Sequence, residues 1–417
     1  MAGTPVGSRT SAAFGVGLLA VAALGSGSSA GSVRLGLVGA ANNSVSLAAA
    51  GSEVVVAWAA RSGAATDVYA AWSRDGGATF GEPARVNDTA GDARVSGEQA
   101  PRVALGASTE VVWVSRQDGA SVVRAAKTRT GERRFEPATT VHAAGLTGAR
   151  GWASLAVDKN AAVHVAWLDG RNAQAEPAGA PATGHAGHKG LRQDLFQAVS
   201  WPDGTRSETK VAADVCFCCK TGVATAPDGT VYVAWRHIYP PNLRDMAVAR
   251  STDGGRTFGA PVRVSEDGWA LDGCPDDGPS IAVDSRGVVH IAWPTLVPGS
   301  ASGKGIFYSY SHDGGRTFAA RVRLDEGAGA AHPQLAVGGD RVVVVWDQSD
   351  GQRRIHSRTI SGEPKAASWT PVLGQPSVLS GEQPAVYPAV AITPTATVVA
   401  WTEEAKAGSE IRVQRLD

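Results

Sequence analysis

The sequence predicts an all-β protein folded as a β-propeller, and two observations support that prediction. A strand of the pattern Val-x-Val-Ala-Trp, or a close variant, recurs seven times at spacings of 53 to 58 residues, with one spacing of 68. Between these strands lie further valine-rich runs, separated by Gly, Asp, Ser and Pro and without the 3.6-residue period of a helix. Four strands in about 50 residues match one propeller blade. The seven strands end at Trp58, Trp113, Trp167, Trp235, Trp293, Trp346 and Trp401.

Seven repeats favour seven blades, with six as the alternative. The last unit stops after its third strand, Glu410 to Leu416, while Ser32 to Leu37 reads as a spare strand. We expect the spare strand to complete the last blade, because closing the ring removes the unpaired edges that an open sheet exposes. A tandem array of sandwiches needs about 100 residues per domain and is disfavoured.

Residues 1–30 read as a secretory signal peptide. Arg9 precedes the apolar run Ala12 to Leu24, and small residues follow, with cleavage expected near Ala30. The run is shorter than the roughly 20 residues that span a bilayer, and no later segment is apolar enough to span one. We therefore expect residues 31–417 to form a single propeller domain that is secreted or periplasmic.

The charge balance does not indicate nucleic acid as a partner. Lys plus Arg and Asp plus Glu both number 39, so the formal net charge is zero. Any recognition of a charged ligand must therefore depend on a local group of residues. The sequence does not determine the oligomeric state.

The turns between third and fourth strands carry the motif Ser-x-Asp-x-Gly-x-Thr-Phe three times. In this motif the aspartate accepts backbone N–H bonds and glycine permits positive φ angles. These turns resemble the Asp-box, or bacterial neuraminidase, repeats of the sialidase-like superfamily. The resemblance implies that these turns stabilise the fold and lie on the face away from the ligand site. The turns are Ser73–Phe80, Ser251–Phe258 and Ser311–Phe318, with the aspartates Asp75, Asp253 and Asp313.

The opposite face is where a ligand site is expected. In a propeller, the loops that precede first strands and the loops that join second to third strands share one face, and the former crowd the axis. At the axis we expect Gln99, Arg102, Trp152, Cys216 to Cys219, Cys274, Asp276, Asp277, His332 and Tyr387. Around the axis we expect Arg61, Arg116, Asp169, Arg171, Arg236, His237, Tyr239, Arg244, Asp347, Glu403 and Glu404.

All four cysteines fall in this axial set. Cys216, Cys218 and Cys219 precede one first strand, and Cys274 precedes the next at an equivalent place. One interpretation is that the cysteines form disulfides. Bridges within Cys-x-Cys or between adjacent cysteines strain the disulfide geometry. The least strained arrangement is therefore one bridge to Cys274, which leaves two thiols. The other interpretation is a soft metal ion, copper or zinc. Further candidate ligands are His332, His237, His185 and His188.

The spacing of 68 residues contains an insertion at 172–191. This stretch is rich in Ala, Gly and Pro and carries His185 and His188. We interpret it as a surface loop, with a lid or a ligand-donating segment as the alternative. Its few large hydrophobic residues argue against a separate domain.

Four arginines follow second-strand tryptophans by one to four residues. In one interpretation, these arginines surround one pocket and each can hold a carboxylate or sulfate through two hydrogen bonds. In the other, each arginine pairs with a nearby Asp or lies in solvent. The four are Arg61, Arg116, Arg171 and Arg236. A glycan or an acidic small molecule is the ligand that such a pocket would take. The predicted ligand-binding set is Arg61, Arg116, Arg171, Arg236, His237, Arg244 and Trp152.

The resemblance to sialidases implies a reaction in which an arginine trio holds a sugar carboxylate, a tyrosine paired with a glutamate is the nucleophile, and an aspartate supplies the proton. The chain departs from that pattern in two respects. It lacks the Arg-Ile/Leu-Pro motif found early in sialidases, and its seven repeats disagree with the six blades of the sialidase family. No catalytic residue is assigned; the candidates are Tyr239, Tyr387 and Glu403. Three functions stay open, namely a propeller that binds a glycan or soft metal, a sialidase-type glycoside hydrolase, and a non-catalytic scaffold or adhesion propeller.

Overall fold

The part of the chain that the computed structural model describes consists of strands and connecting loops. The described residues are 31–117, 119–143, 148–172, 193–271, 275, 277–301, 303–362, 371–405 and 408–416. The predicted signal peptide and residues 173–191 of the predicted insertion lie outside them. No helix of the described residues is both long and apolar enough to cross a membrane.

Seven antiparallel blades of four strand positions follow one another along the chain, and in blade 6 two short strands share the outer position. Blade 1 contains β2 (Ala41–Ala50), β3 (Glu53–Ser62), β4 (Ala65–Ser73) and β5 (Ala84–Arg85). Blade 2 contains β6 (Arg102–Leu105), β7 (Thr109–Gln117), β8 (Ala120–Lys127) and β9 (Thr139–Thr140). Blade 3 contains β10 (Arg150–Val157), β11 (Val163–Asp169), β12 (Gln193–Ser200) and β13 (Arg206–Val215).

The remaining blades follow the same order. Blade 4 contains β14 (Gly222–Thr225), β15 (Val231–Tyr239), β16 (Leu243–Ser251) and β17 (Val262–Arg263). Blade 5 contains β18 (Ser280–Val283), β19 (Val289–Thr295), β20 (Gly305–Ser311) and β21 (Val322–Arg323). Blade 6 contains β22 (Ala330–Gly338), β23 (Arg341–Asp350), β24 (Gln352–Ser361), β25 (Val372–Leu373) and β26 (Ser377–Val378). Blade 7 contains β27 (Ala385–Ile392), β28 (Thr397–Ala405), β29 (Gly408–Leu416) and β1 (Val33–Leu35).

The ring closes as predicted. The strand β1 pairs with β29 in antiparallel register, with Val33 opposite Val413 and Leu35 opposite Ile411. The first strands of all successive blades contact one another, and β27 contacts β2. The first strands therefore surround the axis, and the prediction of seven blades is confirmed.

The tryptophan at the end of each second-strand motif is buried between neighbouring blades. All seven are at most 2% exposed; Trp293 of β19, for example, packs with Met246 and Val248 of β16. A tryptophan removes roughly 150–250 Å² from water, which contributes about 4–6 kcal/mol as an upper value. The repeated strand motif is thus the repeated core of the ring.

The three Ser-x-Asp-x-Gly-x-Thr-Phe turns share one hydrogen-bond pattern. In the second, Oδ1 of Asp253 accepts the N–H groups of Arg256 and Thr257, and Oδ2 accepts the Thr257 hydroxyl at 2.6 Å. The Ser251 hydroxyl donates to Asp253 and accepts the N–H of Gly255. Slight burial opposes these bonds, but they lower the pKa of Asp253 to about 2. Asp75 and Asp313 have the same partners in their turns and the same low pKa.

Candidate functional site

The first strands of four blades carry a β-bulge at the same position. The register shifts lie between Asn43 and Ser46, Gly151 and Ser154, Ala331 and Gln334, and Val386 and Ala389. In each bulge one non-glycine residue has a φ between 52° and 57°: Ser44, Trp152, His332 and Tyr387. Such a conformation costs about 1–3 kcal/mol and persists only where the surroundings fix it. Bulges re-aim side chains, and these four bulges all lie at the axis.

His332 is held by two aspartates. Its ring Nδ1 lies 2.7 Å from Oδ2 of Asp347, and its backbone N–H donates to Oδ2 of Asp277 at 2.9 Å. The same Asp347 oxygen accepts the N–H of Tyr387, whose ring centroid lies 4.3 Å from that of His332. The His332 side chain is 15% exposed. Burial lowers the pKa of His332, but the hydrogen bond to Asp347 and the charges of Asp277, Asp347 and Glu98 outweigh burial, and the pKa is raised.

Glu98 and Lys220 form a buried ion pair that joins several blades. Nζ of Lys220 lies 3.1 Å from Oε1 of Glu98 and donates to the carbonyl oxygen of Pro333 in β22 at 3.1 Å. The second carboxylate oxygen of Glu98 accepts the N–H of Gly278 at 3.4 Å. The side chains are 6% and 2% exposed. Burial raises the pKa of Glu98, and Lys220 offsets part of that rise.

The described residues linked to His332 carry more positive than negative charge. Lys304 lies 3.4 Å from Oδ2 of Asp277, and Arg353 pairs with Asp347. These two cations are 30% and 33% exposed, so a ligand can reach them. The carboxylates of the network are Glu98, Asp277 and Asp347, and its cations besides His332 are Arg102, Lys220, Lys304 and Arg353.

The cysteines before β14 form one buried cluster. Sγ of Cys216 lies 3.9 Å from Sγ of Cys218 and 3.7 Å from Sγ of Cys219. Cys218 is disulfide-bonded, whereas Cys216 and Cys219 are free thiols. Two thiols therefore remain in the cluster. Cys274 and Asp276, the other predicted members of this group, lie outside the described residues.

Two buried arginines lie beside the cysteine cluster. Arg236 donates to the carbonyl oxygens of Arg244, Asp277 and Pro294 at 2.7–3.0 Å, and its guanidinium lies 4.9 Å from the ring centroid of Trp269. Neither Arg236 nor Arg244 has a carboxylate partner among the described residues, and Nε of each is buried without a hydrogen bond. The site thus contains two guanidinium charges that described carboxylates do not balance.

Arg244 and Cys219 stabilise a thiolate at Cys216. Nη1 of Arg244 lies 3.6 Å from Sγ of Cys216. The hydrogen bond from Cys219, together with the charges of Arg244 and Arg236, lowers the pKa of Cys216 to about 6 although burial opposes it. Burial raises the pKa of Cys219 well above its ordinary value. Cys216 is therefore the more acidic thiol of the pair.

The other predicted arginines share no hydrogen-bond partner with Arg236 within the described residues. Arg61 and Arg116 are exposed on blades 1 and 2. Arg171 pairs with Asp169 at 2.6 Å and with Glu208. The structure thus places these arginines on one face but in separate contacts, and their role in binding a ligand stays a prediction.

The remaining candidates are also engaged by neighbours. His237 and Tyr239 meet edge to face at 4.5 Å between ring centroids, and burial raises the pKa of Tyr239 to about 12. Glu403 is buried and pairs with Arg412 at 2.8 Å. Trp152 packs against the cysteines, and its backbone N–H donates to Oε1 of Gln99 at 3.1 Å.

Four charged residues of the axial network were not identified from the sequence as candidates. Glu98 precedes Gln99 and Lys220 follows Cys219, so both lie in segments that were assigned to the axis. The signal that points to them is their charge within segments that the repeat places at the axis. Lys304 lies between the second and third strands of blade 5, and Arg353 lies at the start of the third strand of blade 6. Neither residue lies in a segment that the repeat places at the axis.

A cleft between blades 1 and 2 lies on the opposite face of the ring. Its lining includes Trp72, Ser108 and Arg133, and the Arg133 guanidinium lies 5.6 Å from the Trp72 ring centroid. The cysteine cluster and the His332 network lie on the other face. This cleft therefore does not belong to the candidate site.

No protein-family model matches the sequence, and no curated protein matches it. Solved structures match over most of the chain. Polysaccharide lyase Uly1 aligns with a TM-score of 0.52 and 12% identity over 92% of both chains. Phage phi92 endosialidase aligns at 0.49 and 11% identity, over 91% of this chain and 67% of that one. Trypanosoma rangeli sialidase aligns at 0.46 and 12% identity, over 90% and 55%. At such identities the similarity shows the propeller fold alone.

Proposed function

We propose that the protein binds an acidic glycan on the axial face of its propeller and acts on it through His332. The observation that carries the proposal is the setting of His332. Asp347 holds its Nδ1, and the partly exposed cations Lys304 and Arg353 belong to the same network. Surplus positive charge around a partly exposed ring attracts an anion, and an arginine can hold a carboxylate through two parallel hydrogen bonds.

The arrangement suits proton abstraction next to a carboxylate, which is the chemistry of a polysaccharide lyase. With Nδ1–H directed at Asp347, Nε2 is left to accept a proton. In the proposed step, Nε2 of His332 takes the proton from the carbon that bears the sugar carboxylate. A C=C bond forms as the C–O bond to the leaving sugar breaks, and Nε2 returns the proton to the leaving oxygen. Lys304 or Arg353 stabilises the negative charge that develops on the carboxylate.

The structure favours this reaction over sialidase-type hydrolysis. In that reaction an aspartate supplies the proton and a glutamate assists the tyrosine nucleophile, so two carboxylates must be free to act. Among the described residues, the axial carboxylates Glu98, Asp277 and Asp347 are each engaged with a cation or a histidine. Uly1, a polysaccharide lyase with the same fold, is consistent with the proposal but does not establish it.

The test is depolymerisation of pectate, alginate and glucuronan, followed by the ultraviolet absorbance of the unsaturated product. We expect turnover of at least one polyuronate, and a loss of about 10²–10⁴-fold in kcat in His332→Gln, because general acid–base catalysis contributes that much. His312→Gln is the matched control, since His312 is exposed in a turn of the opposite face. Because the pKa of His332 is raised and the base must be neutral, kcat should rise with pH through that raised value.

Three results separate this proposal from the alternatives. Release of sialic acid from a fluorogenic sialoside, lost in Arg236→Ala, would support the sialidase-type reading instead. Binding of polyuronate without turnover, weakened in Arg353→Ala, would leave a non-catalytic glycan-binding propeller. Absence of both binding and turnover on folded protein would refute the acidic-glycan proposal.

We also infer that the chain is exported and that its three motif turns are Asp-box turns. The apolar N-terminal segment supports export, and so does the disulfide at Cys218, since disulfides persist in oxidising compartments. The shared hydrogen bonds of the turns support the second inference. N-terminal sequencing of protein from the periplasm or medium is the test of export, and a mature chain that starts near Ala30 is expected.

A further inference from the structure

The two free thiols beside Arg244 have no part in the proposed proton transfer. Sγ of Cys216 and Sγ of Cys219 are 3.7 Å apart, and the residues are 1% and 2% exposed. Within the described chain, the group of metal-ligating atoms here consists of cysteines only, and Cys218 is disulfide-bonded. The cluster therefore offers two sulfur ligands.

We propose that Cys216 and Cys219 bind one soft monovalent metal ion, Cu(I), as a two-coordinate bis-thiolate site. Thiolates select Cu(I) and zinc among the common metal ions, and the number of ligands separates these two. Structural zinc takes four protein ligands and catalytic zinc usually three plus water. A buried pair of sulfurs supplies two, which is too few for zinc.

The charges around the pair also favour a monovalent ion. Arg236 and Arg244 are 1% and 3% exposed, and within the described residues neither pairs with a carboxylate. Two thiolates carry two negative charges, so bound Cu(I) leaves one negative charge beside the guanidiniums, whereas bound Zn(II) leaves none. Buried charges that lack a counter-charge are strongly unfavourable. The protein around the sulfurs therefore discriminates against a divalent ion.

The surroundings of the sulfurs suit such a site. Nη1 of Arg244 donates to Sγ of Cys216 at 3.6 Å, which orients that ligand and stabilises its thiolate. Trp152, Phe217 and Ile238 pack against the cysteines, and an apolar shell limits the access of water and oxidants to a metal. On binding, each protonated ligand thiol releases its proton to solvent, and no electron is transferred.

The test is a competition for Cu(I) against bicinchoninate with the anaerobic mature chain, and a parallel titration of Zn(II) against a zinc-responsive dye. We expect one Cu(I) per chain and no stoichiometric Zn(II). Cys216→Ser and Cys219→Ser should each lower Cu(I) affinity by more than about 100-fold, beyond the 10–100-fold typical of an outer-shell partner. Cys218→Ser/Cys274→Ser is the matched control, because it removes two cysteines but keeps both proposed ligands.

A second pair of variants tests the charge argument separately. Arg244→Met should weaken Cu(I) binding by about 10–100-fold and narrow the preference for Cu(I) over Zn(II). Arg244→Lys retains the charge and should keep the preference. Near-ultraviolet circular dichroism establishes that each variant is folded, and native mass spectrometry of the loaded chain counts the bound copper.

Three outcomes would overturn the proposal. They are Cu(I) binding that survives in Cys216→Ser/Cys219→Ser, Zn(II) binding as tight as that of Cu(I), and no Cu(I) binding by folded wild-type protein. These readouts do not require turnover of a glycan. Failure of the His332 experiment therefore leaves the metal proposal standing, and the reverse also holds.

Discussion

At the turns between third and fourth strands, three blades place the same side chains in the same hydrogen bonds, whereas at the bulges of the first strands four blades place four different side chains. Asp75, Asp253 and Asp313 repeat one local contact with residues at most four positions away. His332 and Tyr387, in contrast, meet across two blades. One face of the ring repeats local structure, and the other uses the same backbone position for different chemistry.

This difference separates residues that specify the fold from residues that specify a site. A contact that recurs in each repeat can stabilise each repeat independently, so its loss should be local and additive. A contact made once, at the axis, holds several blades at the same time, so its loss should be larger and should depend on its partners. Two stability measurements and one pH series test this expectation.

The largest effect is expected at the Glu98–Lys220 pair. Lys220→Met leaves a buried carboxylate without its cation and should lower the free energy of unfolding by about 3–5 kcal/mol. Adding Glu98→Leu removes the stranded charge and should recover most of the loss. Urea unfolding followed by tryptophan fluorescence measures both variants.

The control for this prediction is an ion pair near the surface. Lys210 pairs with Asp194 at 2.8 Å, but its side chain is 45% exposed, so Lys210→Met should change stability by less than about 1 kcal/mol. If Lys220→Met were no more destabilising than Lys210→Met, the axial network would not hold the blades together as described.

A smaller and additive effect is expected at the motif turns. Asp253→Ala removes the acceptor for Arg256 N–H, Thr257 N–H and the Thr257 hydroxyl, and should cost about 1 kcal/mol, as loss of a comparable helix cap does. The corresponding triple variant should cost about three times as much, because the turns lie far apart. Thr252→Ala, at an exposed position of the same turn, should stay within about 0.5 kcal/mol. A triple variant far from the sum of single variants would contradict the independence of the repeats.

The ring and its closure could be predicted from the sequence because they follow from repetition. Seven copies of one strand motif set the number of blades, and the spare strand near Val33 had only one incomplete blade to join. The grouping of Trp152, Cys216, His332 and Tyr387 at the axis also followed, since a propeller brings the same point of every repeat to the same place.

The pairing of side chains at the axis could not be predicted in the same way. Glu98 and Lys220 are 122 residues apart and carry no shared motif, so only three-dimensional distance joins them. The positive φ of Trp152, His332 and Tyr387 likewise has no signal in residue type, because bulky residues disfavour that conformation. The arginines could be predicted only in part. Their equivalent places in the repeat put them on one face, but the carbonyl and carboxylate groups near each arginine determine the direction of its guanidinium.

The smallest expected effect is the pH dependence of stability. The stabilisation from the turn aspartates should be lost toward acid, whereas that from His332 should be lost toward alkali. In the turns, Asp253 has a pKa of about 2 when folded and about 3.9 when unfolded. A lowered pKa stabilises the folded state fully above the unfolded value, and the stabilisation is lost as the pH falls through about 2. The gap in melting temperature between wild type and the triple aspartate variant should therefore be constant above about pH 4 and shrink in acid.

At the axis the direction should be reversed. The pKa of His332 is raised in the folded state, so its stabilisation is complete below the unfolded value of about 6.5 and is lost as the pH rises through the raised folded value. The gap between wild type and His332→Gln should be widest in mild acid and close in alkali, with His312→Gln as the control. A gap that instead widened with pH would mean that Asp347 and Asp277 do not stabilise the imidazolium, and His332 would lose the electrostatic setting on which its proposed role depends.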